Sequence, residues 1–348
     1  MNRADLGAAL RLAWLPLTAL VLGWLVSLAP LHRQFSDTLD DTLQRVTARD
    51  ARFDDVLLID FDDSSLEALS PHVGTWPYPR SVHAVLLDFL REAGTRTVVF
   101  DIVFGEPRQG DLHFARAIAR RPDVVLGAAA MRDRLEQQSA AATELTRLSL
   151  AAQPGQSFVQ WAGLTLPTPP LLSALPQLGA VGIVTTPLDD DGQLRRMPLL
   201  HLVGGRLVPS LALAPLLAEK PGAELRLEGR ALQFGTQRWP TDELMRVQVA
   251  LPRNAQDLPR LAASQVLGAA LGLAEPATVR GALAGRTVFV GSSAFLGDRL
   301  NRTQNHVVGA EVLAHVYGSL KRGDLMRRAP WPVSGGFLAA SLLPCLVL

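Results

Sequence analysis

The sequence predicts an α/β fold in which a mixed, mainly parallel sheet with flanking helices and inserted β-hairpins lies between two transmembrane helices. Three observations lead to this prediction. Apolar, β-branched runs alternate with helical patterns over residues 55–130, as in strands joined by crossover helices. Residues 195–234 contain paired short runs around glycine turns. An uncharged, apolar run lies near each end of the 348-residue chain.

The apolar ends predict two membrane helices. Residues 12–31 contain no charged side chain, and about 20 apolar residues are enough to cross a bilayer. Residues 331–348 are also uncharged and indicate the start of a second transmembrane helix. We therefore interpret residues 1–31 as a cytoplasmic N-terminus with the first helix. Residues 32–330 become one domain on a single side of the membrane.

A cleaved signal peptide is the rival interpretation of the first segment. Ser27 and Ala29 are the small residues that a cleavage site needs, but Pro30 would follow the cut and the apolar run is long. We favour an uncleaved anchor. Arg3 and Arg11 precede it and place the N-terminus in the cytoplasm, which puts the domain in the periplasm at the inner membrane.

Basic residues near the second apolar segment oppose this orientation. Four of them lie on the predicted outer side: Lys321, Arg322, Arg327 and Arg328. We give them less weight, because long domains cross membranes largely regardless of charge and the first helix usually decides.

Residues 32–52 predict a stalk helix. Four apolar residues recur there at helical spacing: Phe35, Leu39, Leu43 and Val46. This stripe either pairs with a second copy of the chain or lies on its own domain. By analogy with signalling receptors, we expect a homodimer.

The first half of the domain predicts strands at 55–61, 97–104 and 123–130. A short helix follows the first strand, with Ser64 and Glu67 spaced as a capping box. The next helix begins after Ser81 as its N-cap and ends at Gly94. Before it stands Trp-Pro-Tyr-Pro-Arg at 76–80, which we call the proline arm and predict to be stiff and extended.

The second half predicts a polar insertion at 131–157 and hairpins around Gly204 and Gly229. A strand at 285–291 leads into a glycine-containing loop, and the last helix ends at Gly323.

Aspartates lie near the carboxyl ends of two of the predicted strands. Asp60, Asp62, Asp63 and Asp101 would meet at one edge of a parallel sheet, where open α/β sheets bind ligands and where a hard cation could be held. The alternative is that Asp62 or Asp63 caps a helix and that a salt bridge to Arg80 occupies the cluster.

The sequence gives little support for phosphotransfer, calcium binding or a histidine-ligated metal. Asp60 and Asp62 resemble the first motif of haloacid-dehalogenase-type phosphotransferases, but no lysine stands near Asp298 as the later motifs require. A calcium loop at 189–192 lacks its downstream glutamate, so an Asx turn is the better interpretation. The histidines show no metal-ligand spacing. We therefore expect no enzyme and no cofactor.

The net charge of +1, without a basic tract, also argues against a nucleic-acid partner. The expected partners are the membrane and an unknown small-molecule or periplasmic ligand.

Seven segments in order resemble the CHASE2 family of bacterial extracellular sensory domains. They read LLIDFDDSSLEAL, WPYPR, GTRTVVFDIVFGEP, GAVGIVTTPLDDDGQLRRMPLL, GGRLVPSLALA, GRTVFVGSSAFLGD and VVGAEVLAHVYGSL. Tyr78 stands where tryptophan is commoner. The resemblance implies a sensor outside the membrane, followed by further spans and a cytoplasmic effector such as a histidine kinase, a nucleotide cyclase or a serine/threonine kinase. An exported binding or assembly domain without its own effector is the alternative.

The residues and the resemblance together suggest ligand-binding candidates. We expect Trp76 and Arg80 to line a pocket with Asp60 and Asp101. The remaining candidates are Asp62, Asp191, Arg195 and Asp298.

Overall fold

The computed structural model describes part of one compact unit, Arg49–Met326. The described residues are 53–133, 142–152, 154–189, 191–249, 258–294, 299–301 and 306–325. The two predicted membrane segments, the stalk at 32–52 and Asp298 lie outside them. Among the described helices, none is long and apolar enough to cross a membrane.

The strands and helices alternate along the first third of the chain. The strands are β1 (Val56–Asp60), β2 (Thr97–Val103), β3 (Val124–Met131), β4 (Leu150–Ala151), β5 (Val159–Trp161), β6 (Gly163–Thr165), β7 (Val181–Ile183), β8 (Arg196–Pro198), β9 (Leu200–Val203), β10 (Arg206–Pro209), β11 (Leu225–Leu227), β12 (Ala231–Phe234), β13 (Gln237–Pro240), β14 (Arg246–Gln248), β15 (Arg260–Ala262), β16 (Thr287–Gly291), β17 (Arg299–Asn301) and β18 (His306–Val308). The helices are α1 (Asp63–Val73), α2 (Arg80–Glu92), α3 (Asp111–Ala119), α4 (Ala142–Leu148), α5 (Pro169–Ala174), α6 (Ala214–Glu219), α7 (Ala263–Ala270), α8 (Pro276–Leu283) and α9 (Gly309–Arg322).

The main sheet is mixed and mainly parallel, as predicted. Its seven strands run in the order β15-β1-β16-β2-β3-β6, with β7 also paired to β3. Every described pairing in it is parallel except that of β3 with β6. Smaller sheets carry the predicted hairpins, β9–β10 around Gly204 and β11–β12 around Gly229.

Both faces of the sheet are covered, which explains the apolar runs. In β1, Leu57 and Ile59 face a core shared with α1, α2, α3, α5 and α7, whereas Val56 and Leu58 face a second core shared with α6 and α9. A strand covered on both faces is apolar over most of its length, and all five residues of β1 are buried, with Asp60 at its carboxyl end as the one polar residue.

Two predicted helix starts are wrong by a few residues. Helix α1 begins at Asp63, and Asp62 caps it by accepting a hydrogen bond from Ser65 N at 2.7 Å, so the expected box from Ser64 and Glu67 does not form. Helix α2 begins at Arg80 without a side-chain cap. A backbone hydrogen bond from a distant part of the chain replaces that cap. Arg80 N donates to Gln109 O at 2.8 Å.

The proline arm is not uniformly extended. The backbone bends at residues 75–77, and the peptide bond from Trp76 to Pro77 is cis. Tyr78 is fully buried, with its ring 6.1 Å from that of Phe61. Tyr78 and Phe61, both fully buried, thus pack against each other in the core at the end of the arm.

Candidate functional site

Asp60 ends strand β1 and lies buried at the carboxyl edge of the sheet, 2% exposed. Ser293 donates to it twice, from N and from Oγ, each at 2.9 Å. Arg260 Nη1 lies 3.2 Å from Asp60 Oδ2. Burial raises the pKa of Asp60 above its ordinary value, and the bonds from Ser293 and the charge of Arg260 only partly oppose this.

Arg260 joins Asp60 to the last helix. Its Nη2 lies 2.6 Å from Oε2 of Glu311, which is 3% exposed in the first turn of α9. One guanidinium therefore balances two buried carboxylates. His315, one turn later, has its Nε2 3.9 Å from Glu311 Oε1. We call Asp60, Ser293, Arg260 and Glu311 the edge cluster.

Asp101 lies on the same edge of the sheet, as expected. Strand β16 runs between β1 and β2, and it ends at Gly291, paired with Asp60. A Cβ added to Gly291 would lie 3.7 Å from Asp101 Oδ2 and only 2.3 Å from Ala310 Cβ. The missing side chain thus leaves space that the last helix and Asp101 fill.

The possible cation site at this edge finds no support among the described side chains. No group of three or more acidic, histidine or cysteine side chains suited to a metal occurs within the described part of the chain. Asp62 instead caps α1, as the alternative reading anticipated. Burial acts to raise its pKa, but the hydrogen bonds from Ser65 and Ser64 outweigh burial and lower it.

Arg80 pairs with Asp111, so its described contacts do not bring it together with Asp60 as the predicted pocket would. It is 4% exposed, its Nε lies 3.3 Å from Asp111 Oδ1, and its Nη2 donates to Glu106 O at 3.1 Å. Its guanidinium also lies 4.6 Å from the centroid of the Phe104 ring. Arg80 therefore holds the loop before α3 against the proline arm.

Trp76 is half-buried in an aromatic cluster that the sequence analysis missed. The Trp76 ring lies 5.4 Å from that of Phe61, the residue after Asp60, and 5.3 Å from that of Tyr78. His83 is at the centre of the cluster, 5.1 Å from Phe104. Burial, assisted by the charge of Arg80, lowers the pKa of His83 to about 3.

A cleft of about 360 Å³ lies beside the proline arm. Its lining residues are Val73, Gly74, Thr75, Pro77, Tyr78, Pro79, Arg108 and Gln109. Tyr78 is fully buried, and its hydroxyl has no hydrogen-bond partner in the described structure. We call this the arm cleft.

Asp191 and Arg195 pair with each other, far along the chain from the edge cluster. Arg195 donates to both carboxylate oxygens of Asp191, at 2.8 and 2.7 Å, and this bond lowers the pKa of Asp191. Asp191 Oδ1 also accepts from Gln193 N at 3.1 Å, which is the predicted Asx turn. The described contacts of this pair therefore build a turn before β8.

A second polar cluster, which no sequence pattern indicated, lies at the opposite end of the sheet. Oε1 of Glu219 accepts from Tyr317 Oη at 2.6 Å, from Thr287 Oγ1 at 3.0 Å and from Thr97 Oγ1 at 3.2 Å. Burial and the neighbouring carboxylate raise the pKa of Tyr317, which keeps its hydroxyl a donor. Only the i, i+4 spacing of Tyr317 and Lys321 on one helix could have suggested it.

A match to a protein-family model identifies the family of this chain. The family model described as CHASE2 domain matches residues 17–347, nearly the whole chain. The chain belongs to the CHASE2 family. CHASE2 domains are extracellular sensory domains rather than catalytic ones, and the predicted resemblance is confirmed. No curated protein and no solved structure matches the sequence.

Proposed function

We propose that this CHASE2 domain is the extracytoplasmic input domain of a bacterial membrane signalling protein. It would lie in the periplasm, sense an unidentified ligand and pass the signal through the apolar segments at 12–31 and 331–348. The receiver would be a cytoplasmic effector outside this chain, a histidine kinase or a nucleotide cyclase. The observation that carries the proposal is that the beginning and the end of the described domain are in contact.

These contacts join the residues before β1 to the last turns of α9. The Phe53 ring lies 5.3 Å from the His315 ring, and the Arg322 guanidinium lies 3.9 Å from the Phe53 centroid. Lys321 Nζ lies 2.7 Å from Asp55 Oδ2. The chain therefore reaches and leaves the domain at one place, as a sensor held between two membrane helices requires.

Helix α9 links this place to the edge cluster. Its first turn carries Glu311, bound to Arg260, and its last turn carries Lys321. The helix has 14 residues and spans about 21 Å. A ligand that favours one arrangement of the edge cluster would thus shift the helix that leads to the second apolar segment.

Cysteine labelling tests the placement of the domain. Cys345 is the single cysteine, so Cys345→Ser gives a cysteine-free chain. Arg230→Cys then adds one thiol at a side chain that is 71% exposed. A membrane-impermeant maleimide should label this variant in cells whose outer membrane alone is opened. Labelling that requires lysis of the inner membrane would contradict the proposal.

An effector fusion tests the sensory role. The chain would be joined after Leu348 to a nucleotide cyclase catalytic domain, and cyclic nucleotide would be measured in membranes. Arg260→Met should shift the output several-fold. If the fusion stays active but its output is the same for all variants of the edge cluster and α9, the domain is a tethered binding module without coupling.

A further inference from the structure

We propose that the arm cleft binds a small organic carboxylate with an apolar body. The inference deepens the proposed function, since the bound acid would be the sensed ligand. It rests on the shape of the cleft, one buried unpartnered donor and one weakly held cation.

The size and lining of the cleft fit a small molecule. Its volume of about 360 Å³ lies at the lower end of the range for small-ligand sites. Val73, Pro77 and Pro79 supply apolar surface, and Thr75 and Gln109 supply polar groups. Such a lining suits an aromatic or branched aliphatic body with a single polar end.

Arg108 supplies the charge, and its present contacts are weak. Its Nη1 lies 3.4 Å from Pro77 O, and its Nη2 lies 3.6 Å from Glu106 Oε2. The Glu106 side chain is 83% exposed, and solvent-exposed ion pairs contribute little to stability. A ligand carboxylate can therefore replace Glu106 at little cost.

The lining residues also argue against phosphate and metal ions as ligands. Arg108 is the one cation among the eight lining residues, and none of the eight is acidic. A phosphate dianion calls for several donors, and a metal ion calls for carboxylate or imidazole ligands. One arginine, the hydroxyls of Thr75 and Tyr78, and one amide match a monocarboxylate.

The Tyr78 hydroxyl couples binding to a movement of the arm. It is covered in the described structure and lacks an acceptor, a state that costs free energy. A carboxylate can accept from it only when the arm shifts, so the ligand favours the shifted state. The Trp76 ring packs against Phe61, so a movement of the arm would displace Phe61. Phe61 O accepts a hydrogen bond from Ser292 Oγ at 2.8 Å, and Ser292 precedes Ser293 of the edge cluster.

Calorimetry on the full chain in detergent micelles tests the inference, with phenylacetate and benzoate as probes. Their uncharged amides, phenylacetamide and benzamide, are matched controls for apolar partition into micelles. We expect at least one acid to bind, and its amide to bind about tenfold more weakly or not at all. Arg108→Gln should weaken the acid about tenfold, whereas Arg226→Gln, at an exposed ion pair elsewhere, should leave affinity unchanged.

Tyr78→Phe separates a ligand contact from a structural role. Removing a buried hydroxyl without a partner should leave the protein at least as stable, while acid affinity falls several-fold. The inference is overturned if neither acid binds, if acid and amide bind alike, or if Arg108→Gln and Tyr78→Phe both keep wild-type affinity. Any of these results, together with periplasmic labelling and a responsive fusion, would leave the proposed function standing.

Discussion

Lys321 Nζ lies 2.7 Å from Asp55 Oδ2, so the last helix is tied to the residue just before the first strand. Burial acts to raise the pKa of Asp55, but the hydrogen bond and charge of Lys321 outweigh it and lower that pKa. Lys321 also donates to Tyr317 Oη at 3.1 Å. This contact joins the two ends through which a signal would leave the domain.

Lys321→Met should change the output of the cyclase fusion more than it changes stability. The contact is partly exposed, so we expect a loss of about 1 kcal/mol in the free energy of unfolding. The output should shift several-fold because the two ends are no longer tied. Lys220→Met is the matched control, since Lys220 is exposed and is the only other lysine. Equal output from both variants would refute the coupling role.

Gly318→Ala should destabilise the contact between the chain ends by steric overlap. The added Cβ would lie 2.2 Å from Phe53 Cδ1 in a closely packed core, and overpacking costs about 1–3 kcal/mol. Gly281→Ala provides the control, because that helical glycine has nothing within 4 Å of the added Cβ. Urea unfolding should show a loss for the first variant and a neutral effect or a gain for the second. If Gly318→Ala leaves the free energy of unfolding unchanged, the Phe53 ring must be able to move aside.

The sheet could be predicted because its evidence is local. The first four residues of β1 are apolar since both faces are covered, and the hairpin turns at Gly204 and Gly229 require the positive φ that glycine adopts. The sequence also placed Asp60 and Asp101 on one edge, because the carboxyl ends of parallel strands meet there.

The side-chain partners could not be predicted, because they join distant parts of the chain. Arg80 was expected beside Asp60 but binds Asp111, and Asp60 binds Arg260, 200 residues away. No periodicity encodes such pairs. The surroundings of the proline arm were missed for a similar reason, since Trp76 and Tyr78 contact Phe61, which lies outside the arm.

Arg260→Met should leave two buried carboxylates without their cation. Asp60 and Glu311 side chains are 3% and 5% exposed, whereas Arg260 is 38% exposed, so we expect a loss of about 2 kcal/mol rather than the full cost of breaking a buried pair. Adding Glu311→Gln to this variant should recover part of the loss. Urea unfolding at neutral pH measures both effects.

The same variant should be less destabilised in acid. The pKa of Asp60 is raised in the folded state, so its protonation favours folding at low pH, and that contribution is lost as pH rises through the folded pKa. Without Arg260 this pKa should rise further. The difference between Arg260→Met and wild type should therefore be larger at pH 7 than at pH 4. A difference independent of pH would mean that lost packing, not unbalanced charge, explains the effect.

His83 should make the protein labile in acid. Burial lowers its pKa to about 3 from the ordinary value of 6.5, so between these values the unfolded chain binds one more proton than the folded chain. This contribution to stability is complete above pH 6.5 and falls by about 1.4 kcal/mol per pH unit below it. Replacing His83 with leucine removes the effect, so unfolding free energy should depend less steeply on pH between 6 and 4.

Two further variants make the acid test specific. His201 is also fully buried, accepts from Trp161 Nε1 at 3.0 Å, and has its pKa lowered by burial to about 3. In the double variant His83→Leu with His201→Leu, the free energy of unfolding should therefore depend on pH less steeply again, by the contribution of a second proton. His72 is exposed in α1, so His72→Leu controls for removal of an imidazole at the surface. An unchanged slope in His83→Leu would mean that His83 becomes charged within the aromatic cluster, and the cluster would then have to admit water or open in acid.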